Sequence, residues 1–182
     1  MKRFLKRFRL WIVMVAVTGL FYGVYFFSAG ATMARQRNFL LSCDSFTLYS
    51  LDPSTRLTTD DETPEQLHAR RGRHFHKCRI LGQTNVKDVA TRARLVDALH
   101  QGMKGNWSFG IMCFSPHHGI RAQNKNGKYL DLVICFECQK IENHTNTLAK
   151  IAGVNTTQEP LEIFNQALKA AGVPAPPALF GK

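Results

Sequence analysis

Five cysteines, at positions 43, 78, 113, 135 and 138, and the pair His117-His118 are the side chains of this 182-residue chain best suited to chemistry. Three of the cysteines cluster. Cys113 opens the stretch Cys113-Phe114-Ser115-Pro116-His117-His118-Gly119-Ile120-Arg121, and Val133-Ile134-Cys135-Phe136-Glu137-Cys138 follows it. Thiolate and imidazole are donors that zinc selects, and a Cys-x-x-Cys spacing is common to zinc half-sites and redox dithiols. Cys113, His117, His118, Cys135 and Cys138 are therefore the candidate metal set, with zinc as its cation. Two other readings stand beside it: a disulfide from Cys113 to Cys138 or Cys135, and thiols buried as small apolar side chains. The sequence holds no phosphate loop, Gly-x-Ser-x-Gly or His-Glu-x-x-His motif, so no catalytic residue or organic cofactor is assigned.

The setting of the Cys-x-x-Cys pair bears on these readings. Tyr129 to Cys138 is a run of strand formers without Gly or Pro, which places both cysteines inside one strand. Residues three apart on a strand face opposite ways, with Cα atoms about 10 Å apart, too far for a disulfide. Cys135 and Cys138 are thus not expected to pair unless a bulge intervenes. A turn at Asn124–Gly127 would instead set Cys113 across from Cys138 and Pro116 across from Cys135, with a bulge at Pro116 and Gly119 able to shift the register. Asp131 and Glu137 share a strand face with Cys135 on this reading, about 20 Å apart and beyond paired acid/base work. His68, His74 and His76 flank a basic loop and read as exposed, Arg121 reads as a surface strand residue, and Cys43 is left as the odd cysteine.

The elements that must position these groups follow from patterning. Phe46–Leu51 alternates as a strand, and Pro53–Gly72 is a polar loop. His74–Leu81 reads as a second strand. A helix follows, capped by Thr84 or Asn85, with Val89, Ala90, Ala93, Val96, Leu99 and Met103 as its apolar stripe. Trp107–Phe114, Gly119–Gln123 and a long Lys128–Ile141 read as strands. A last helix spans Glu159–Ala171, with a Thr156/Glu159 capping box, Leu161, Phe164 and Leu168 inward, and Gly172 then Pro174 ending it. This order predicts an α+β domain: a mainly antiparallel sheet with two packed helices on one face.

Charge and hydropathy place the domain. The formal charge is +11, but residues 1–37 hold seven of the excess cations (Lys2, Arg3, Lys6, Arg7, Arg9, Arg35 and Arg37) and no acid. The basicity is thus mostly a topology signal, and nucleic acid is excluded as the expected partner. Leu10–Ala31 carries no charge and is long enough to span on the order of 30 Å as a helix. The five cations before it put residues 1–9 in the cytoplasm. The predicted organisation is a cytoplasmic segment 1–9, an anchor 10–31 in the lipid bilayer, a juxtamembrane segment 32–45, an extracytoplasmic domain 46–173 and a flexible tail 174–182. Ala29-Gly30-Ala31 also fits a signal-peptidase site, and cleavage there would release the domain into the periplasm or beyond. The apolar run exceeds the usual signal-peptide core of about 7–15 residues, which favours the anchor.

Phe46–Pro53 (FTLYSLDP), Ile80-Leu81-Gly82, Cys113–Arg121 and Asp131–Cys138 (DLVICFEC) together resemble a family of bacterial exported or membrane-anchored proteins with no assigned activity. The resemblance covers most of residues 46–173 and implies a small exported domain at the inner membrane. His117 stands where the family pattern has arginine. With an anchor and no catalytic motif, the expected function is non-enzymatic binding or a structural role in the envelope. The alternative is a metal- or thiol-dependent site on Cys113, His117, His118, Cys135 and Cys138.

Overall fold

Side chains that alternate along Phe46–Leu51 form a strand because each successive residue points to the opposite face, and the computed structural model carries it as β1 (Ser45–Asp52). The structure describes residues 30–53, 73–103, 114–146 and 154–176, with Thr18. Nearly all of the apolar segment, the polar loop with His68, most of the strand read at Trp107–Phe114, Cys113 and the chain from 177 onward lie outside the described residues. Contacts divide the chain into two compact units, Met1–Gln36 and Arg37–Lys182. Residues 30–42 are helical (α1), where the sequence marks only a juxtamembrane segment. Among the described residues no helix is long and apolar enough to cross a membrane.

The second unit is α+β. After β1 come β2 (His74–Phe75), β3 (Cys78–Asn85), α2 (Val89–Met103), β4 (His118–Gln123), β5 (Tyr129–Cys135), β6 (Lys140–Thr145), β7 (Val154–Asn155) and α3 (Leu161–Ala170). Among the described residues the strands form one sheet in the order β2-β3-β1-β4-β5-β6-β7, every pair antiparallel.

Two expected strands are in fact hairpins. His74–Leu81 reverses at His76-Lys77, so that Phe75 pairs with Cys78. Lys128–Ile141 reverses at Phe136–Gln139, where the Gln139 N–H donates to the Phe136 carbonyl at 3.1 Å and Cys135 pairs with Lys140. His76 and Gln139 each take φ of 54°, a left-handed conformation that strand propensity does not signal in residues other than glycine. The β4–β5 register also slips by one residue from the expected one, with Gly119 opposite Val133. The cause is the Asn124 side chain, whose Oδ1 accepts N–H bonds from Asn126 and Lys128, both at 3.0 Å. That turn takes Lys128 as well as Asn124–Gly127, and Gly127 supplies its positive φ of 74°.

The helices cover one face of the sheet. Phe46 and Leu48 of β1, Ile120 and Ala122 of β4, and Leu130, Leu132 and Ile134 of β5 alternate onto that face and are buried with Leu95, Val96, Leu99, Phe164 and Leu168. The stripe of α2 is rotated from the expected one: Val89 is 71% exposed, whereas Arg92 and Leu95 are buried. Arg92 can lie inside because its guanidinium donates to the carbonyls of Cys43 at 2.7 Å and Val86 at 3.3 Å and lies over the Phe46 ring. The α2 cap is Asp88, which accepts the Thr91 N–H at 2.8 Å, and Asn85 belongs to β3. For α3 the capping box does not form; Pro160 occupies the N-cap, while Gly172 at φ 69° ends the helix with the Val173 N–H on the Leu168 carbonyl.

The other face has no described helix over it, yet β5 is buried along Leu130–Cys135. Its cover comes from the β2–β3 hairpin. Phe75 stacks on Tyr49 with centroids 4.3 Å apart, and these two join Leu51, Cys78 and Val133 in a second apolar cluster. The sheet must curl strongly for this, since β2 ends the strand order. Gly119 allows it: a Cβ there would lie 2.7 Å from two atoms of the Phe75 ring. Gly119→Ala should therefore cost about 1–3 kcal/mol, read as a lower urea midpoint; an unchanged midpoint would place Phe75 elsewhere.

Candidate functional site

Two groups of polar side chains lie on the curled face, and the register explains both. The pairings Arg121↔Asp131 and Asp131↔His144 align three polar residues across β4, β5 and β6. The Asp131 side chain is only 1% exposed. Arg121 grips it twice, Nε to Oδ1 at 2.9 Å and Nη2 to Oδ2 at 2.6 Å. His76 reaches Oδ2 from the edge hairpin with Nε2 at 3.0 Å, and its ring stacks on His144 at 3.9 Å. Burial opposes the charge on Asp131, but the bonds from Arg121 and His76 outweigh it and hold the carboxyl below its usual range.

At His76 and Arg121 the expected exposure is found, and the partners are what the sequence reading lacks. The His76 turn is exposed, as expected, but its ring is turned inward and only 25% exposed. Arg121 is an exposed β4 residue, as expected, but it is bonded to Asp131 and lies 5.4 Å from the Phe75 ring centroid. With Asp131 accepting at Nε2, a neutral His76 keeps Nδ1 as an acceptor. The ring edges a cleft of about 400 Å³ whose lining includes Lys77, Cys78, Glu142 and His144. A ligand there would meet one carboxylate, an ammonium and two imidazoles around an apolar floor at Val133.

The second group lies at the β5–β6 turn. Cys135 and Cys138 do not sit three apart on one strand, because the chain reverses between them. The Cys138 N–H donates to Cys135 Sγ at 3.1 Å. Glu137 Oε2 is 3.9 Å from that sulfur and 3.4 Å from His117 Nδ1. His117, Cys135 and Cys138 are thus brought to one end of the sheet, with Glu137 as a member the sequence reading had set on a strand. Cys43, Cys78, Cys135 and Cys138 are all buried thiols, and Cys113 lies outside the described residues. Burial, followed by the hydrogen bond to Cys138, pushes the Cys135 thiol up to about 12, so it is not ionised at neutral pH. The hydrogen bond from His117 leads the effects that hold Glu137 below the usual carboxylate range.

His118 takes a different part. It packs against Phe136 and Phe164 on the helix-covered face, with Nε2 3.0 Å from Asn165 Oδ1 and Nδ1 buried without a hydrogen-bond partner. A neutral ring protonated at Nε2 satisfies that geometry, and burial lowers its pKa to about 4. Among the described residues no three His, Cys, Asp or Glu side chains form a group that could hold a metal ion. No family model, curated protein or solved structure matches the chain.

Two pH effects follow. The unfolded chain protonates His118 near 6.5, whereas the folded ring resists protonation until about 4. Stability is therefore full above that upper value and falls as pH drops, by about 3 kcal/mol in all. The melting temperature should decline across this range while the His118 ring stays neutral by NMR at pH 5; a ring titrating near 6.5 would contradict its burial. Asp131 adds a further loss at lower pH, as its depressed carboxyl protonates. Asp131→Asn should cost about 2–4 kcal/mol at neutral pH and flatten this lower limb in acid denaturation.

Proposed function

We propose that this protein is a single-pass, membrane-tethered domain facing the extracytoplasmic side, which acts by binding a small ligand in the cleft beside His76 rather than by catalysis. The tether rests on the charge-free stretch Leu10–Ala31 and the five cations before it. The resemblance to bacterial exported proteins supports the same placement. The observation that carries the binding role is His76, held in a left-handed turn at φ 54° with its ring seated on buried Asp131 at the edge of the cleft. Backbone strain of this kind costs free energy and concentrates where a side chain must be aimed. The cleft mixes apolar floor and convergent polar groups, the usual make-up of a small-molecule site.

Each half of the proposal has its own test. Alkaline phosphatase fused after Lys182 should be active, and the protein should stay in the membrane pellet after an alkaline carbonate wash. An inactive fusion would reverse the orientation, and release by carbonate would remove the tether. For the cleft, a fragment library screened by NMR on the full chain in detergent micelles should shift signals of Lys77, Glu142 and His144. His76→Ala should weaken those binders at least tenfold. Fragments that bind only elsewhere, or bind His76→Ala equally well, would refute the cleft as the ligand site.

A further inference from the structure

The β5–β6 turn sets two sulfurs side by side and surrounds one of them with donors. Cys135 Sγ accepts the Cys138 N–H at 3.1 Å, the Ser115 main chain also hydrogen-bonds it, and the two free thiols hydrogen-bond to each other. A thiol sulfur is a weak acceptor, whereas a thiolate takes such bonds strongly. Two main-chain N–H groups at one sulfur favour its anionic form, although burial keeps the metal-free thiol neutral. Cys135 is 0% and Cys138 4% exposed. Bare thiolates would be costly in so dry a place unless a cation lay between them.

We propose that Cys135 and Cys138 form a two-sulfur site for a soft monovalent cation of the cuprous type. Coordination number selects this class. Zinc takes four nitrogen, sulfur or oxygen donors in a tetrahedron, and no set of even three such side chains is assembled among the described residues. A monovalent d10 ion is satisfied by two thiolates in line, and soft sulfur ligands favour it over harder cations. Two sulfur–metal bonds form as two S–H bonds break, both protons leave and no electron is transferred. Glu137 is placed to accept the Cys135 proton, with Oε2 3.9 Å from the sulfur and the side chain 26% exposed toward solvent. The donors of this site, Cys135 and Cys138, are not among the residues that line the cleft beside His76, and the site requires the pair to be reduced.

The test is an anaerobic titration of the reduced full chain in detergent with cuprous ion, supplied from a coloured chelator complex. The wild-type protein should withdraw one equivalent, and Cys135→Ser and Cys138→Ser should each weaken retention at least 100-fold. Cys43→Ser, far from the turn in sequence, should retain the ion. No uptake by the wild-type protein, or full retention by either folded turn variant, would overturn the site. X-ray absorption of the loaded wild-type protein gives an answer that does not depend on variant folding. A first shell of two sulfurs supports the assignment, and a shell of three or more donors, or one containing nitrogen or oxygen, refutes it.

Discussion

A carboxylate in the middle of a strand that is buried on both faces has to be neutralised where it stands, because water cannot reach it to do so. Asp131 is that carboxylate, and much of the curled face follows from it. Arg121 supplies the charge from the adjacent strand through a two-pronged contact. His76 supplies the remaining hydrogen bond from the far edge of the strand order. For His76 to arrive, the sheet must curl until its edge hairpin lies over β5 and β6. The Phe75–Tyr49 stack and the absence of a side chain at Gly119 are the apolar half of the same closure.

The two sides of the sheet therefore solve burial differently. On one, α2 and α3 bring aliphatic and aromatic side chains, and the polar residues admitted there, such as Arg92, are tied to main-chain carbonyls. On the other, the cover is a short hairpin that carries a histidine, a lysine and a cysteine with it. The curled side is thus where polar groups gather around a cleft, and the sheet end beyond it holds the Cys135–Cys138 turn. Both features stand on hairpin reversals made by residues other than glycine in left-handed conformations, His76 and Gln139.

How much of this the sequence discloses depends on the range of the interaction. Periodicity shows the α+β class, β1, the last helix and most of the buried aliphatic residues, since those depend on local alternation. It does not show reversals at His76-Lys77 or Phe136–Gln139, where no Gly or Pro marks the turn and strand propensity runs straight through. Missing the second reversal is what separates Cys135 from Cys138 in the sequence reading. The phase of α2 is misjudged because Arg92 scores as a surface residue until its carbonyl partners are known. His76 with Asp131 is illegible for a simpler reason: they are 55 positions apart in the chain. The one-residue slip between β4 and β5 is set by the Asn124 side chain, a detail finer than turn composition conveys.

That separation of 55 residues also has a bearing on the order in which the domain assembles. The β4–β5–β6 meander is joined by short turns and closes cheaply, whereas seating the edge hairpin on β5 joins residues much further apart in the chain. Arg121 is adjacent to Asp131 in the meander and can hold its charge from the start. Without the hairpin in place, however, Tyr49, Leu51 and Val133 would face water together, a sticky apolar surface on the sheet. The same short hairpin that shapes the cleft thus also shields Tyr49, Leu51 and Val133 from contact with neighbouring chains.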